Sequence, residues 1–293
     1  MNRVAVIGAN GFLGTTITNR FNIDGWEVLP TSRLNSTQSQ QKLSYVDIYD
    51  EASIDDFLLK NRPELVVSTA WETEHGKFWN KETNVEYAAA TTRLASRCYE
   101  LGVLNFIGLG TMSEYGQAPG ACDSKITPLN PSDLYSKTKS ETGIQLKEIA
   151  ESFGRQFSWL RVFQAFGPKE KELRFIPTLI RTLGSGNKIE ISSPHNRMDW
   201  IHSEDVASAL SFSIANELFG FIDIGTGVST SVADVSKEVS KIFGFDESLL
   251  VFNTSENPIK KNIYVSESSQ ILKFGWKPEK SLADRLRSLP RFN

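Results

Sequence analysis

Tyr135 and Lys139 are the residues of this 293-residue sequence whose types and spacing best suit chemistry. They stand four positions apart in a predicted helix over residues 135–153, and residues at that spacing share a helix face. An ammonium beside a phenol favours the phenolate, so the pKa of Tyr135 is expected to fall from about 10 toward neutrality. Such a pair would give and accept protons in the interconversion of a carbonyl and an alcohol.

Thr111 supplies a third polar group. It comes just after residues 105–109, an apolar run that predicts a strand. Ligands of parallel α/β sheets bind beyond the carboxyl ends of the strands, so this hydroxyl is placed to hydrogen-bond a reacting oxygen. Ser113 is a rival for the same role, and Thr111 could instead be a turn residue that caps the strand end.

A glycine-rich turn follows the first predicted strand, residues 4–7. Glycine can take a tight turn, and its missing side chain lets backbone N–H groups reach a pyrophosphate at the positive end of the next helix. The alternative is a glycine turn that binds nothing, but the strand before it and the amphipathic helix after it favour a dinucleotide. The predicted cofactor-binding turn consists of Gly8, Asn10, Gly11, Phe12, Leu13 and Gly14.

The end of the second predicted strand bears on which dinucleotide binds. An acidic residue there binds the ribose hydroxyl of NAD, whereas a basic residue accommodates the 2′-phosphate of NADP. This sequence has Ser32 and Arg33 and no acid. We therefore expect NADP, with NAD as the alternative if Arg33 is only a solvated surface charge.

Strand and helix patterns alternate through most of the chain, which predicts a parallel sheet covered by helices on both faces. The fold class is thus α/β, with a doubly wound Rossmann-type sheet and a smaller mixed α/β lobe for the substrate. The predicted strands are residues 4–7, 27–30, 43–47, 65–68, 105–109, 157–162 and 221–224.

The regular alternation weakens from about Pro168. Residues 1–167 are expected to form the dinucleotide-binding domain, to which residues 196–227 return. Residues 168–195 and 228–293 are expected to form the substrate-binding lobe.

Taken together and in order, these motifs resemble those of the extended short-chain dehydrogenase/reductase family, in the branch of nucleotide-sugar epimerases, dehydratases and reductases. The resemblance covers nearly the whole chain. It includes Gly8, Gly11 and Gly14, Asp47, Thr111 before Tyr115-Gly116, Tyr135 with Lys139, residues 161–168 (similar to R-x-x-N-x-Y-G-P), residues 199–207 (similar to D-F-I-H-V-D-D-V-A), and residues 223–227 and 274–278.

The resemblance implies further cofactor contacts. Asp47 and Ile48 would contact adenine, and Thr69, Ala70 and Trp71 would line the dinucleotide site. Asn84 would support the strand that carries Thr111. Tyr135 would be the general acid or base, with Lys139 and Thr111 assisting, and Tyr135 and Lys139 would also contact the cofactor. From the residues alone, Asp47 could be only a turn residue and Asn84 only a helix cap.

The substrate implied by the resemblance is a nucleotide sugar, but the sequence departs from the family at this end. Met198 stands where the family has a phosphate-binding Arg, with Arg197 one position earlier, and Gln164 replaces an Asn. The dehydratases of the family carry Asp-Glu directly after the active-site Thr, so 4,6-dehydration is not expected here. The expected substrate-binding residues are Thr111, Met112, Ser113, Gln164, Arg174, Phe175 and Arg197.

Four functions fit these residues. The leading hypothesis is NADP-dependent reduction of a keto group, at C4 of a nucleotide-linked 6-deoxy-keto sugar, with Tyr135 as general acid. The first alternative is a nucleotide-sugar epimerase that retains NAD(P). Reduction of a small aldehyde or ketone is a third option, and a non-catalytic NAD(P)-sensing protein is a fourth.

Composition limits the kinds of binding partner that the sequence leads us to expect. The net charge of -3 gives no electrostatic reason to expect nucleic acid or an anionic membrane as partner. The two cysteines and three histidines lack the spacing of a metal site, and a cytoplasmic location is expected. The resemblance implies a homodimer formed through two long helices of each subunit.

Overall fold

The computed structural model of the chain describes residues 3–33, 43–74, 76–117, 119–253, 262–266 and 269–291. No helix within these ranges is long and apolar enough to span a membrane. The strands are β1 (Arg3–Ile7), β2 (Glu27–Ser32), β3 (Ser44–Tyr45), β4 (Leu65–Ser68), β5 (Asn105–Thr111), β6 (Pro119–Ala121), β7 (Gln156–Val162), β8 (Gln164–Phe166), β9 (Ile189–Ile191), β10 (Arg197–His202), β11 (Gly220–Ile224), β12 (Ser229–Ser231), β13 (Leu250–Phe252) and β14 (Ile263–Val265). The helices are α1 (Phe12–Ile23), α2 (Glu51–Asn61), α3 (Thr83–Glu100), α4 (Leu134–Phe153), α5 (Phe175–Gly184), α6 (Ser203–Ala215), α7 (Val232–Phe243), α8 (Gln270–Lys273) and α9 (Leu282–Arg287).

Seven strands form the main sheet, in the order β11-β7-β5-β4-β1-β2-β3, and every pairing in it is parallel. β1 lies inside the sheet between β2 and β4, where Val4, Ala5 and Val6 are fully buried. A strand covered on both faces must be apolar on both, which explains its continuous run of apolar residues. The predicted doubly wound parallel sheet is confirmed.

Helices cover both faces of this sheet, so the hydrophobic core consists of two clusters, one on each face. Val4 and Val6 point into a cluster formed with α1 and α6. Ala5 and Ile7 point into a second cluster formed with α2, α3 and α4. Since successive side chains of a strand alternate between faces, one short strand contributes to both clusters.

A second sheet has the order β12-β10-β14-β6, with β8 also paired to β10, and β13 pairs with β9. A separate hydrophobic cluster lies among α5, α7 and α9. Three of the second-sheet strands, β6, β8 and β10, come from residues 1–167 and 196–227. The boundary of the substrate lobe therefore stays a prediction, because the chain passes between the sheets more often than the sequence pattern indicates.

The third predicted strand, residues 43–47, is shorter than expected. Only Ser44 and Tyr45 form β3, and both are exposed. The chain then turns, with the Tyr49 N–H donating to Asp47 Oδ1 at 3.0 Å. This strand lies at the edge of the sheet, where burial does not favour a longer pairing.

A buried ion pair joins α9 to α6. Arg285 Nε donates to Asp205 Oδ2 at 2.8 Å, Arg285 also bonds the second carboxylate oxygen, and both side chains are 2% exposed. Glu204 adds a second acidic partner at the surface. Because α6 packs on α1, this pair connects the C-terminal segment to the helix that follows the glycine turn.

We expect Asp205→Ala to destabilise the protein by about 3–5 kcal/mol, because it leaves the buried Arg285 charge without its main partner. Unfolding in urea, followed by tryptophan fluorescence, measures the change. Asp284→Ala is the matched control, since it removes a carboxylate whose ion pair with Arg287 is exposed. Equal loss of stability in the two variants would contradict the prediction.

Candidate active site

The glycine turn between β1 and α1 is closed to side chains. Gly8 has φ +81°, in the left-handed region, and its carbonyl accepts the Gly11 N–H at 3.0 Å. A Cβ on Gly14 would overlap that same carbonyl oxygen, and one on Gly8 would lie 2.9 Å from Thr69 Oγ1. Asn10 and Gly11, at the tip of the turn, are exposed. The turn therefore leaves its backbone open to a ligand on one side.

α1 begins directly after this turn. Its N-cap residue is Gly11, which has no side chain with which to cap the helix. The N–H groups of the first turn, which includes the half-buried Phe12 and Leu13, are therefore left to an external acceptor at the positive end of the helix. These residues fit the pyrophosphate of a dinucleotide.

The end of β2 carries the residues predicted to select the cofactor. Ser32 is buried, and Arg33 is exposed with its guanidinium carbon 5.8 Å from the centre of the Tyr49 ring. A cation over an aromatic face is weakly held there. Arg33 thus lies beside the loop after β3.

Asp47 and Ile48, expected to contact adenine, lie on that loop. Ile48 is buried, and Asp47 accepts the Tyr49 N–H with one carboxylate oxygen. Asp47 therefore acts as a turn residue, and its contact with adenine stays a prediction.

Thr69, Ala70 and Trp71 follow β4 and lie against the glycine turn. Thr69 Oγ1 donates to the Ile7 carbonyl at 2.9 Å. All three residues line a small void of about 20 Å³ together with Lys139. The structure thus brings the end of β4 together with Lys139, one of the three residues predicted to do the chemistry.

Lys139 is almost fully buried, at 5% exposure. Its ammonium donates to the Leu109 carbonyl at 2.9 Å and lies 3.6 Å from the centre of the Trp71 ring. Burial lowers the pKa of Lys139 to about 7, and the charge of Glu114 acts in the opposite direction. The amine is therefore poised to change its charge near neutrality.

Asn84 is nearly fully buried at the start of α3, where it organises the loop after β4. Its Oδ1 accepts the Trp71 indole N–H at 2.9 Å, and its amide donates to the carbonyls of Phe78 and Lys81. The resemblance implied support for the strand of Thr111. The bonds of the amide fix Trp71, against which Lys139 is held, and support for that strand stays a prediction.

Tyr135 lies at the start of α4 among aromatic rings, with the centre of its ring 4.7 Å from that of Phe78 and 5.8 Å from that of Trp79. Burial raises the pKa of its phenol to about 12, and an interaction with the Thr111 hydroxyl lowers it in part. The expected fall toward neutrality is therefore wrong. The Lys139 ammonium lies 6.0 Å from the centre of the phenol ring and bonds a backbone carbonyl, so burial dominates.

Thr111 ends β5 and starts a short 3₁₀ turn, Met112–Tyr115. Its Oγ1 accepts the Ser113 N–H at 3.3 Å, and its own N–H donates to Glu114 Oε1 at 2.9 Å. Thr111 is thus a cap, as one interpretation held, and its hydroxyl lowers the pKa of Tyr135. Ser113 Oγ lies 3.4 Å from Thr111 Oγ1, so the two hydroxyls lie side by side.

Behind Thr111 lies a network of buried charges that sequence reasoning missed. Glu114 accepts Arg161 Nε at 2.7 Å, and the Tyr115 hydroxyl donates to Asp223 Oδ1 at 2.7 Å. Two signals were available: Thr111-x-x-Glu114 has the pattern of a capping box, and Arg161 is a charge within an otherwise apolar buried strand.

The substrate-binding residues predicted beyond β7 are more dispersed. Gln164 is half-buried on β8, and Phe175 starts α5 with the centre of its ring 5.8 Å from that of Trp200. Arg174 pairs with the buried Glu170 at 3.4 Å, and its charge lowers the pKa of Tyr135.

Arg197 lies on β10, and its Nε donates to Ser229 Oγ at 3.2 Å. A further bond from its guanidinium reaches the Ser229 carbonyl. The guanidinium is thus held on β12, and no contact with Tyr135 or Lys139 is found among the described residues.

A cavity of about 600 Å³ lies beside the C-terminal half of β10, and Tyr135 is not among its lining residues. Aromatic and basic side chains line it, among them Phe166, Trp200, His202, Trp276, Lys277 and Lys280. None of the residues predicted for catalysis, cofactor or substrate lines it. Its size alone therefore does not identify it with the predicted site.

Residues 4–225 match the model of the NAD dependent epimerase/dehydratase family. Among curated proteins, the chain is 23% identical over 305 residues to the low-salt glycan biosynthesis protein Agl12 of Haloferax volcanii, with 97% of this chain and 96% of that protein covered. The chain spans less than half the length of three trifunctional dehydratase/epimerase/reductase relatives from Arabidopsis thaliana.

Solved structures share the fold. A UDP-N-acetylglucosamine 4-epimerase from Methanobrevibacter ruminantium M1, in complex with UDP-N-acetylmuramic acid, superposes with a TM-score of 0.85 at 22% identity, covering 99% of this chain and 97% of that one. A GDP-mannoheptose C4 reductase from Campylobacter jejuni, with NADP bound, superposes with a TM-score of 0.80 at 20% identity, covering 98% of this chain and 96% of that one.

The described residues contain no group of His, Cys, Asp and Glu that could hold a metal ion.

Proposed function

The chain belongs to the NAD dependent epimerase/dehydratase family, and we propose that it is a reductase within that family. Membership makes it an NAD(P)-dependent oxidoreductase or epimerase of the extended short-chain dehydrogenase/reductase type. The proposed reaction is NADPH-dependent reduction of a keto group, at C4, on a nucleotide-linked 6-deoxy-keto sugar. The alternative retained from the sequence is epimerisation of a nucleotide sugar with a retained dinucleotide.

The observation that carries the proposal is the grouping of Thr111, Tyr135 and Lys139. They meet at the carboxyl edge of the sheet that also carries the glycine turn, which is where ligands of parallel α/β sheets bind. Bound there, the reduced dinucleotide would supply hydride to a keto carbon. The hydroxyl of Thr111 would orient the keto oxygen, and the phenol of Tyr135 would protonate it.

The protonation of Tyr135 favours the reductive direction. A buried phenol with a pKa of about 12 carries its proton at neutral pH, so it can act as an acid on an incoming ketone. Lys139 lies next to Trp71 and Leu109, where it could hold the ribose of the cofactor. Met112 and Ser113 stand where dehydratases carry two acids, which leaves no carboxylate pair for elimination of water.

The cofactor preference rests on the adenosine end of the site. Arg33 is exposed beside Tyr49, so a 2′-phosphate would meet its cation. Ser32, which precedes it, is buried at the end of β2. The NADP found with the Campylobacter C4 reductase agrees with this preference, and the glycan biosynthesis relative favours a role in polysaccharide biosynthesis.

The proposal is tested by incubating the protein with NADPH and a panel of nucleotide-linked 4-keto-6-deoxy sugars. We expect one of them to oxidise NADPH, which is followed at the absorbance of the reduced cofactor. Tyr135→Phe should lower kcat by about 10²–10⁴-fold, because it removes the proton donor. Tyr45→Phe is the matched control, since Tyr45 is exposed on the edge strand.

The other outcomes are distinct. Conversion of a nucleotide sugar without net change in NADPH would show an epimerase. Tight NADPH binding without turnover of any sugar would favour a sensing protein. Turnover of small ketones alone would leave the nucleotide without a role.

Arg33→Ala is expected to weaken NADPH binding by at least about tenfold and to leave NADH binding nearly unchanged, because only NADPH carries the 2′-phosphate. Quenching of protein fluorescence by each cofactor gives the two Kd values. Arg155→Ala is the control, because Arg155 is exposed and directly precedes β7, at the amino ends of the strands rather than at their carboxyl ends. A wild-type protein that binds NADH as tightly as NADPH would contradict the assignment.

We infer that the protein forms a homodimer through α3 and α4. These helices pack side by side, and each leaves a large apolar side chain exposed: Val85 at 47% and Ile144 at 45%. Ile144→Glu should shift the protein toward monomer in sedimentation velocity, because a charge would enter the interface. Ile126→Glu, at an exposed isoleucine outside both helices, should not, and an equal shift would argue against this interface.

A further inference from the structure

The carboxylate of Glu114 is fully buried directly behind Thr111. Its Oε1 accepts the Thr111 backbone N–H and the Trp159 indole N–H, each at 2.9 Å. Its Oε2 accepts Arg161 Nε at 2.7 Å. A buried carboxylate is costly unless every oxygen is paired, and this one is held by three donors from two neighbouring strands, β5 and β7.

We propose that Glu114 is a positioning residue of the reaction: it fixes Thr111 through the backbone N–H and supplies the negative charge that faces the Lys139 ammonium across the Trp159 ring. The inference rests on the proposed function, because it concerns the residues that would protonate and orient the substrate. Glu114 does not itself touch the reacting atoms.

Few groups besides Glu114 stabilise the charge of the Lys139 ammonium. It bonds one backbone carbonyl and lies over Trp71, and its Nζ is 5.5 Å from the centre of the Trp159 ring. Burial lowers the pKa of Lys139 to about 7, and the charge found to raise it is that of Glu114. Glu114 thus favours the charged amine.

Other titratable groups surround the same region, from every element packed against it. They are Tyr135 and Asp133 at the start of α4, Tyr87 on α3, whose ring stacks on Trp71, Tyr115 after β5, Arg161 on β7, Asp223 on β11, the Glu72–Lys81 pair after β4, and Arg174 before α5. Tyr135 is protonated at neutral pH, and Glu72 and Lys81 neutralise each other at the surface. Of the charges around it, that of Glu114 raises the pKa of Lys139.

The backbone around Glu114 is shaped to admit it. A Cβ on Gly110 would lie 2.5 Å from Glu114 Oε1 and would overlap the Trp159 indole nitrogen. A Cβ on Gly143 of α4 would lie 2.8 Å from Trp159 Cδ1. Glycine on β5 therefore leaves room for the Glu114 carboxylate and the Trp159 indole, and glycine on α4 leaves room for the same indole.

The outer end of the network holds Arg161 in place independently of Glu114. Arg161 Nη1 lies 3.4 Å from the Tyr115 hydroxyl, which donates to Asp223. Burial raises the pKa of Asp223 to about 6, while its bond from Tyr115 and the charge of Arg161 act in the opposite direction. Asp223 therefore offers a matched control: a buried acid in the same network that does not bond Thr111.

The test compares Glu114→Gln with Asp223→Asn. Glutamine keeps an acceptor for the Thr111 N–H and removes the charge. Lys139 stabilises the site as an ammonium only below its pKa, and Glu114 raises that pKa. In Glu114→Gln the basic limb of the kcat profile should therefore move to lower pH, by about one unit. Asp223→Asn should move it much less, and Glu114→Ala, which also frees Thr111, should lower kcat further at every pH.

A second readout separates this inference from the proposed function. The ammonium lies on the Trp71 ring, so the fluorescence difference between each protein and its Trp71→Phe counterpart should titrate with Lys139. That midpoint should fall in Glu114→Gln whether or not any sugar is turned over. A failed sugar panel with a shifted midpoint would reject the reductase and keep the role of Glu114.

An unchanged midpoint in Glu114→Gln, or an equal shift in Asp223→Asn, would overturn the inference. If Glu114→Gln does not fold, Glu114→Gln with Arg161→Gln removes both charges of the pair and leaves neither unpaired. The double variant should also lower the midpoint, because it too removes the charge of Glu114. A midpoint equal to that of wild type would again reject the role.

Discussion

Parallel pairing of the main sheet decides where chemistry can take place in this protein. β1 pairs with both β2 and β4, and its last residue, Ile7, lies beside Thr31 and Ser68 near the ends of those strands. In the same way Thr111, the last residue of β5, pairs with Val162, the last residue of β7. Because all seven strands run the same way, each delivers its last residue to one edge. The glycine turn, Arg33, the Trp71 loop and Thr111 are neighbours for this reason, although they are far apart in sequence.

The same pairing places costly groups in the interior. β7 runs beside β5 with Trp159 and Arg161 buried on it, and Glu114 must be satisfied between them. Removing a charge from water costs several kcal/mol, so such groups persist where their partners are complete. The network therefore joins the stability of the sheet to the placement of Thr111, and a change made for one will be felt by the other.

The features that could be predicted from the sequence are those that depend on residues close together in the chain. The apolar run of β1, the glycine turn and the i,i+4 pair on α4 each lie within a few positions, and the structure contains all three. The pKa of Tyr135 was predicted with the wrong sign, because burial depends on rings contributed by the loop after β4. The Glu114–Arg161–Asp223 network escaped notice because its members come from three separate segments that only the strand order brings together. The single-residue step from β7 to β8, which moves the chain into the second sheet, likewise has no local signal.

That step has a geometric consequence. Only Phe163, itself buried, separates the last residue of β7 from the first of β8, and the 3₁₀ turn that follows Thr111 leads on toward β6. Because Val162 pairs with Thr111, the chain leaves the main sheet for the second one level with the Thr111 backbone. The positions of β8 and of Thr111 are therefore set by the same strand end.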